Sequence, residues 1–146
     1  MPLGTTLKIS KGHMWRSAIE DKPGSFAAAL EPFAKAGHNL QIVAGWAPSA
    51  DKHKQNASME VFPITDEKGK QCAREAGLQE MKDLVCLIVE GDDSPGLAYK
   101  MAKAIADAGV NTRYAMTQGV KQYFLACFGF HNDADAEKAK AALSKL

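Results

Sequence analysis

The chain has 146 residues, 46% hydrophobic content and a formal net charge of +1 from 18 basic and 17 acidic side chains. That balance suits a globular fold with its own core and excludes a charge-driven binder of nucleic acid or of an anionic membrane. Three cysteines, Cys72, Cys86 and Cys127, are odd in number and form no Cys-x-x-Cys pair, which points to a reducing compartment and away from a disulfide framework or zinc knuckle.

Residues 1–11 lack the apolar block of a signal peptide, and the longest strongly apolar run, residues 84–89, is too short to span a bilayer. A cytoplasmic protein is expected. In chain order, a short strand is expected over residues 5–10 and another over residues 15–19. Asp21-Lys22-Pro23-Gly24 then opens a helix, with proline suited to its first turn. Phe26, Leu30, Phe33 and Ala34 share one face of that helix, and Gly37 supplies its left-handed stop. Pro32 removes the bond to Ala28 and predicts a kink. Strands over residues 40–46 and 58–63 follow, joined by a polar loop over residues 48–57, and a helix over residues 66–76 closes the half.

The second half repeats this order. A short strand is expected over residues 77–82 and a continuous apolar one over residues 84–89, suited to burial on one or both faces. Asp93-Ser94-Pro95-Gly96 opens a helix with Leu97, Met101, Ile105 and Ala108 on one face and Gly109 at its end. A tight hairpin of residues 112–118 and 122–128, turning at Gly119-Val120, precedes a helix over residues 133–146. Asp-x-Pro-Gly, twelve residues, then Gly-x-Asn therefore occurs twice: 93 − 21, 96 − 24 and 111 − 39 all equal 72. The repeating unit reads strand-strand-helix-strand-strand-helix, a circular variant of the split β-α-β arrangement.

Asp-Lys-Pro-Gly-Ser-Phe after a strand, a helix ending Ala-Gly-His-Asn-Leu, then a hairpin and a helix, resembles the ACT domain family of amino-acid-sensing modules. Over roughly residues 14–146 the chain looks like a stand-alone tandem ACT protein. The resemblance implies an α+β fold of two ferredoxin-like βαββαβ units, residues 5–76 and 77–146, with antiparallel sheets packed side by side. It also implies non-catalytic, regulatory binding of a small ligand, usually an amino acid, where two such modules meet. The family binds ligand at the strand-to-helix turn and the start of the next strand. Here those are Asp21, Lys22, Pro23, Gly24, Ser25, Asn39 and Leu40, and in the second repeat Asp93, Ser94, Pro95, Gly96, Leu97, Asn111 and Thr112.

The chemistry of these residue types agrees. An amino acid needs donors for its carboxylate beside an acceptor for its ammonium, and a helix N-terminus presents unpaired N–H groups at the positive end of its dipole. Gly24 and Gly96 leave the backbone open to approach, Asp21 and Asp93 can accept from the ammonium, and Asn39 and Asn111 can do both. Each also has a plain structural role open to it. The aspartates can simply cap their helices, and the asparagines can occupy turn positions of positive φ.

Other signals carry less. His13, His38, His53 and His131 are scattered without i, i+4 spacing, so no metal site and no cofactor is expected. Gly69-Lys70 lacks the upstream glycine of a phosphate loop. Residues 122–130 resemble the aromatic strand of RNA-recognition modules without its basic residue, so Phe124, Phe128 and Phe130 are expected to alternate into the core or cover an interface, and no nucleic-acid partner is expected. Cys86 and Cys127 read as core residues, Cys72 as exposed, and the loop around His53 as the region for ligand selectivity. Exposed strand edges predict a homodimer. The alternative to a ligand sensor is a structural or adaptor module; a small enzyme would need an acid-base pair that the sequence does not offer.

Overall fold

A computed structural model describes residues 7–47 and 56–146. The elements in order are β1 (Lys8–Glu20), α1 (Ser25–Lys35), β2 (Ile42–Trp46), β3 (Asn56–Phe62), α2 (Glu67–Glu75), β4 (Gln79–Asp92), α3 (Leu97–Asp107), β5 (Tyr114–Val120), β6 (Tyr123–Phe130) and α4 (Asp133–Leu143). Strand β3 pairs antiparallel with both β1 and β2, and β6 pairs antiparallel with both β4 and β5. This is the expected α+β, ACT-like architecture of two ferredoxin-type units.

The short strands expected before each repeat are not separate. They run unbroken into the strands that follow, giving β1 its 13 residues and β4 its 14. Residues 11–14, Lys-Gly-His-Met, contain no turn-forming pair, and neither do residues 82–84. This changes how the chain groups. One compact unit is residues 12–81; the other joins the chain before residue 12 to residues 82–146. The repeat at 5–76 and 77–146 describes duplication in the sequence, whereas packing exchanges the leading strand segment of each copy.

The unit of residues 12–81 contains β1 from Gly12 onward, α1, β2, β3, α2 and the first residues of β4, in spatial order β2-β3-β1-β4. Its connectivity is thus βαββαβ, without circular rearrangement. Trp15, Met59 and Val61 alternate onto the sheet face that meets Ala29 and Phe33 of α1 and Cys72 and Ala73 of α2. Burying a side chain such as Phe33 contributes about 1.5–3 kcal/mol. Met14 and Phe62, of the opposite parity, are buried as well.

In the other unit, β4, α3, β5, β6 and α4 are completed by residues 8–11, in spatial order β1-β4-β6-β5. Val85, Leu87 and Val89 of β4 pack with Leu97, Met101 and Ile105 of α3 and with Phe124, Phe128 and Phe130 of β6; Leu7 and Ile9 join them. Lys11 ties the leading segment to α4 through Asp133 at 2.6 Å and Glu137 at 2.5 Å, and these hydrogen bonds hold its ammonium above the ordinary lysine pKa. Leu84, Cys86 and Ile88 on the other side of β4 are no more than 1% exposed, so residues 84–89 are buried on both faces.

Local signals explain the helix ends. Gly37, Gly77 and Gly109 take φ of 64°, 82° and 76°. At each, the next residue's N–H reaches back to close the helix: His38 to the Phe33 carbonyl, Leu78 to Ala73 and Val110 to Ile105. Asp66 and Asn132 cap α2 and α4 by accepting from the N–H groups of Gly69 and Asp135. Helix α1 runs through Pro32 as one element, and the carbonyl deprived of its bond belongs to exposed Ala28.

Several expectations are corrected. Phe26 is 40% exposed, and Ala34 and Ala108 are exposed as well, because α1 and α3 bury narrower stripes centred on Ala29 and Phe33, and on Leu97, Met101 and Ile105. Cys72 is buried at the α2 core face. The β5–β6 hairpin turns at Lys121-Gln122, with Lys121 at φ 58°, and Gly119 lies within β5. The stretch around His53, residues 48–55, lies outside the described residues.

Asp66→Ala is expected to destabilise the protein by about 1 kcal/mol through loss of the α2 cap, whereas Asp21→Ala, which removes no cap, stays within about 0.5 kcal/mol. Urea unfolding of the two variants checks the difference.

Candidate functional site

Asp-x-Pro-Gly folds locally into a type II turn. Pro23 stands at its second position and Gly24 at its third, with φ 89° and ψ −16°; the Ser25 N–H donates to the Lys22 carbonyl at 3.3 Å. Gly96 repeats this at φ 81° and ψ 4°, and the Leu97 N–H donates to the Ser94 carbonyl at 3.2 Å. The glycine is itself the helix N-cap, with no side-chain cap bond in either copy. Neither aspartate caps its helix, and each proline precedes the helix instead of entering it.

The reason for the glycine also differs from close approach. A Cβ built on Gly24 or Gly96 meets nothing within 4 Å; the positive φ is what selects glycine. Asn39 and Asn111 do not have positive φ, so that reading of them falls as well.

Within each unit the predicted residues fall at two ends. Asp21, Lys22, Pro23, Gly24 and Ser25 precede α1, while Asn39 and Leu40 follow it. An eleven-residue helix separates the two groups by about 16 Å. Asp93, Ser94, Pro95, Gly96 and Leu97 are separated in the same way from Asn111 and Thr112 by α3. Leu97 is 1% exposed and belongs to the core with Met101, and Leu40 packs against the other core.

A cavity of about 240 Å³ opens beside the first turn, lined by Ile19, Glu20, Asp21, Lys22, Phe26, Gly45, Trp46, Ala47 and Ala57. Of the residues named from the sequence it takes in Asp21 and Lys22. The ion pair of Lys22 with Glu20, at 2.9 Å, is more than half exposed on both partners and contributes little to stability. The floor is apolar. Gly45 admits the Phe26 ring over β2, since a Cβ there would come within 2.9 Å of Phe26 Cε2. Trp46, 53% exposed, stands at the rim. By helix geometry the N–H groups of Phe26 and Ala27 have no intrahelical acceptor and sit at the positive end of α1.

Sequence reasoning missed Phe26, Gly45 and Trp46 as site residues. Their signal was available in the repeat: shifted by 72, Phe26 and Trp46 align with Ala98 and Gln118. The aromatic pair belongs to one copy only. At the second turn the Asp93 carboxylate lies over Gly119, where a Cβ would approach Oδ2 to 2.7 Å, and the Asp93 N–H donates to the Gln122 carbonyl at 2.8 Å. The two turns share a backbone and differ in what surrounds it.

No protein-family model matches the chain, and no curated protein matches it significantly. Solved structures do share its fold. The ligand-free regulatory subunit of aspartate kinase from Thermus thermophilus aligns over 97% of this chain and 98% of its own, at 16% identity and a TM-score of 0.60. Protein BT0572 from Bacteroides thetaiotaomicron aligns over 97% and 100%, at 16% identity and TM-score 0.69. E. coli aspartokinase III in complex with aspartate and ADP aligns over 95% of this chain and 32% of its own, at 12% identity and TM-score 0.58. The chain therefore shares the fold of these proteins, a two-unit α+β fold of the kind the duplicated turn indicated. Among the described residues, no helix is long and apolar enough to cross a membrane.

Gly24→Ala is expected to cost about 1–2 kcal/mol from left-handed strain alone. Gly45→Ala carries no such strain and acts by displacing the Phe26 ring. Urea unfolding measures the first effect; the second appears as altered emission of Trp46 in a Trp15→Phe background.

Proposed function

We propose that the protein is a non-enzymatic regulatory module that binds an amino acid or a similar small zwitterion at the β1–α1 turn of residues 12–81, without a cofactor. The supporting observation is the match of its fold, almost end to end, to a regulatory subunit, combined with a cavity at the duplicated turn. At about 240 Å³ that cavity is below the roughly 300–1,000 Å³ of drug-sized sites, a size suited to an amino acid. The free N–H groups at the start of α1 would receive the carboxylate, Asp21 the ammonium, and Phe26 and Trp46 the side chain.

The resemblance that assigns Asp93–Leu97, Asn39 and Asn111 to ligand binding extends the proposal to those residues, which would complete a site only against a neighbouring module. A cytoplasmic homodimer is part of this reading. Strand β2, Ile42–Trp46, is an edge strand of its unit with no charged residue, and natural edges left without charge are disposed to pair.

A thermal-shift screen against the twenty amino acids tests the ligand. A binder at a hundred times its dissociation constant adds about 2.7 kcal/mol of stability, and Trp46→Ala is expected to abolish the shift. No shift with any amino acid would favour the adaptor reading, for which the uncharged β2 edge is the supporting feature. Sedimentation is expected to show a species larger than the 15.7 kDa chain; a single monomer would remove the dimer.

A further inference from the structure

A second cavity, of about 320 Å³, lies elsewhere in the unit of residues 12–81, lined by Arg16, Ser17, Ala18, Gly77, Gln79 and Met81. Strand alternation places Arg16 and Ala18 on the face opposite Trp15 and Ile19, which pack toward the helices. Ser17, of the same parity as Trp15, and Gly77, just after α2, complete the lining, so the cavity lies beside β1 at the start of β4 and takes in Arg16 from the helix-free face. Among the described residues of its lining, Arg16 is the one charged side chain and there is no carboxylate.

Arg16 is held from behind. Glu60, across the strand pair in register, is 1% exposed. Its Oε1 accepts from Arg16 Nε at 3.1 Å and pairs with the guanidinium at 2.9 Å from Nη2. Both contacts go to one oxygen, and Oε2 is buried without a partner. A side-on guanidinium of this kind keeps Nη1 and one Nη2 hydrogen available. Burying a carboxylate is costly unless it is paired, and a single under-satisfied oxygen is a poor return in stability for a cross-strand contact. It does give Arg16, itself 31% exposed, a set orientation.

We propose that this cavity is an anion site, distinct from the turn cavity, in which Arg16 binds a carboxylate- or phosphate-bearing small molecule and Glu60 acts as the positioning residue. The guanidinium fork matches either oxyanion, and Gln79 adds an amide donor beside it.

The test uses the full chain, with backbone amide NMR during titration with succinate and, separately, inorganic phosphate at constant ionic strength. Saturable shifts at Arg16, Ala18 and Gln79 with one anion identify the headgroup class; shifts with both show that the fork alone is read. Arg16→Gln is expected to weaken binding about tenfold or more, and Trp46→Ala to leave it unchanged, which separates this site from the turn cavity. Glu60→Gln is expected to weaken anion binding while the thermal midpoint and the response to amino acids are retained. Should Arg16→Gln fail to fold, Arg16→Lys keeps the charge but cannot bridge through two nitrogens, and the same loss is expected. Absence of saturable shifts with either anion at roughly 10 mM, or full affinity in the Arg16 variant that folds, would overturn the proposal.

Discussion

The left-handed glycine at the strand-to-helix turn is the constraint on which each unit depends. Antiparallel packing of a helix against the strand that precedes it requires the chain to reverse within a few residues. Pro23 presets the first central position of the turn, and only a residue without a Cβ occupies the second, near φ 89°, at no steric cost. Because Gly24 is also the helix N-cap, the same residue aims α1 along the sheet and leaves the N–H groups of Phe26 and Ala27 without an intrahelical acceptor. The geometry that makes the fold also makes the donor set, which is why one turn serves structure and candidate site together.

Duplication preserved that turn and let its surroundings diverge. Both copies keep the turn bond and the positive φ, since loss of either would misdirect a helix. The side chains above the turn are under no such constraint. One copy carries Phe26 over Gly45 beside Trp46; the other carries alanine and glutamine at those positions and folds the Asp93 carboxylate against Gly119. The two copies therefore share a turn backbone and differ in the side chains around it.

The long strands explain the least expected grouping. Nothing in residues 11–14 or 82–84 interrupts extended backbone, so β1 and β4 each pass from one unit into the other. Each unit then holds four strands, and the leading segment is anchored by Leu7 and Ile9 in the core and by Lys11 on α4. A four-stranded sheet with two helices could have been made by local pairing instead. The choice between the two is made by long-range packing, which local sequence signals do not encode.

By itself the sequence determined the order of the four helices and two hairpins, the duplicated turn, the glycine helix stops, the aromatic core strand of residues 124–130 and, through the Asp-x-Pro-Gly repeat, the two-unit α+β fold. These are local or periodic features, readable because backbone sterics and side-chain alternation act over a few residues. Only the tertiary structure decided that Phe26 faces a cavity and not the core, that Cys72 is buried, that the aspartates do not cap, that the leading strands are exchanged, and that Arg16 stands on a buried Glu60. Each of those depends on which distant strand lies alongside. A stripe pattern shows which face of a helix is apolar; it cannot show how much of that face its neighbours cover.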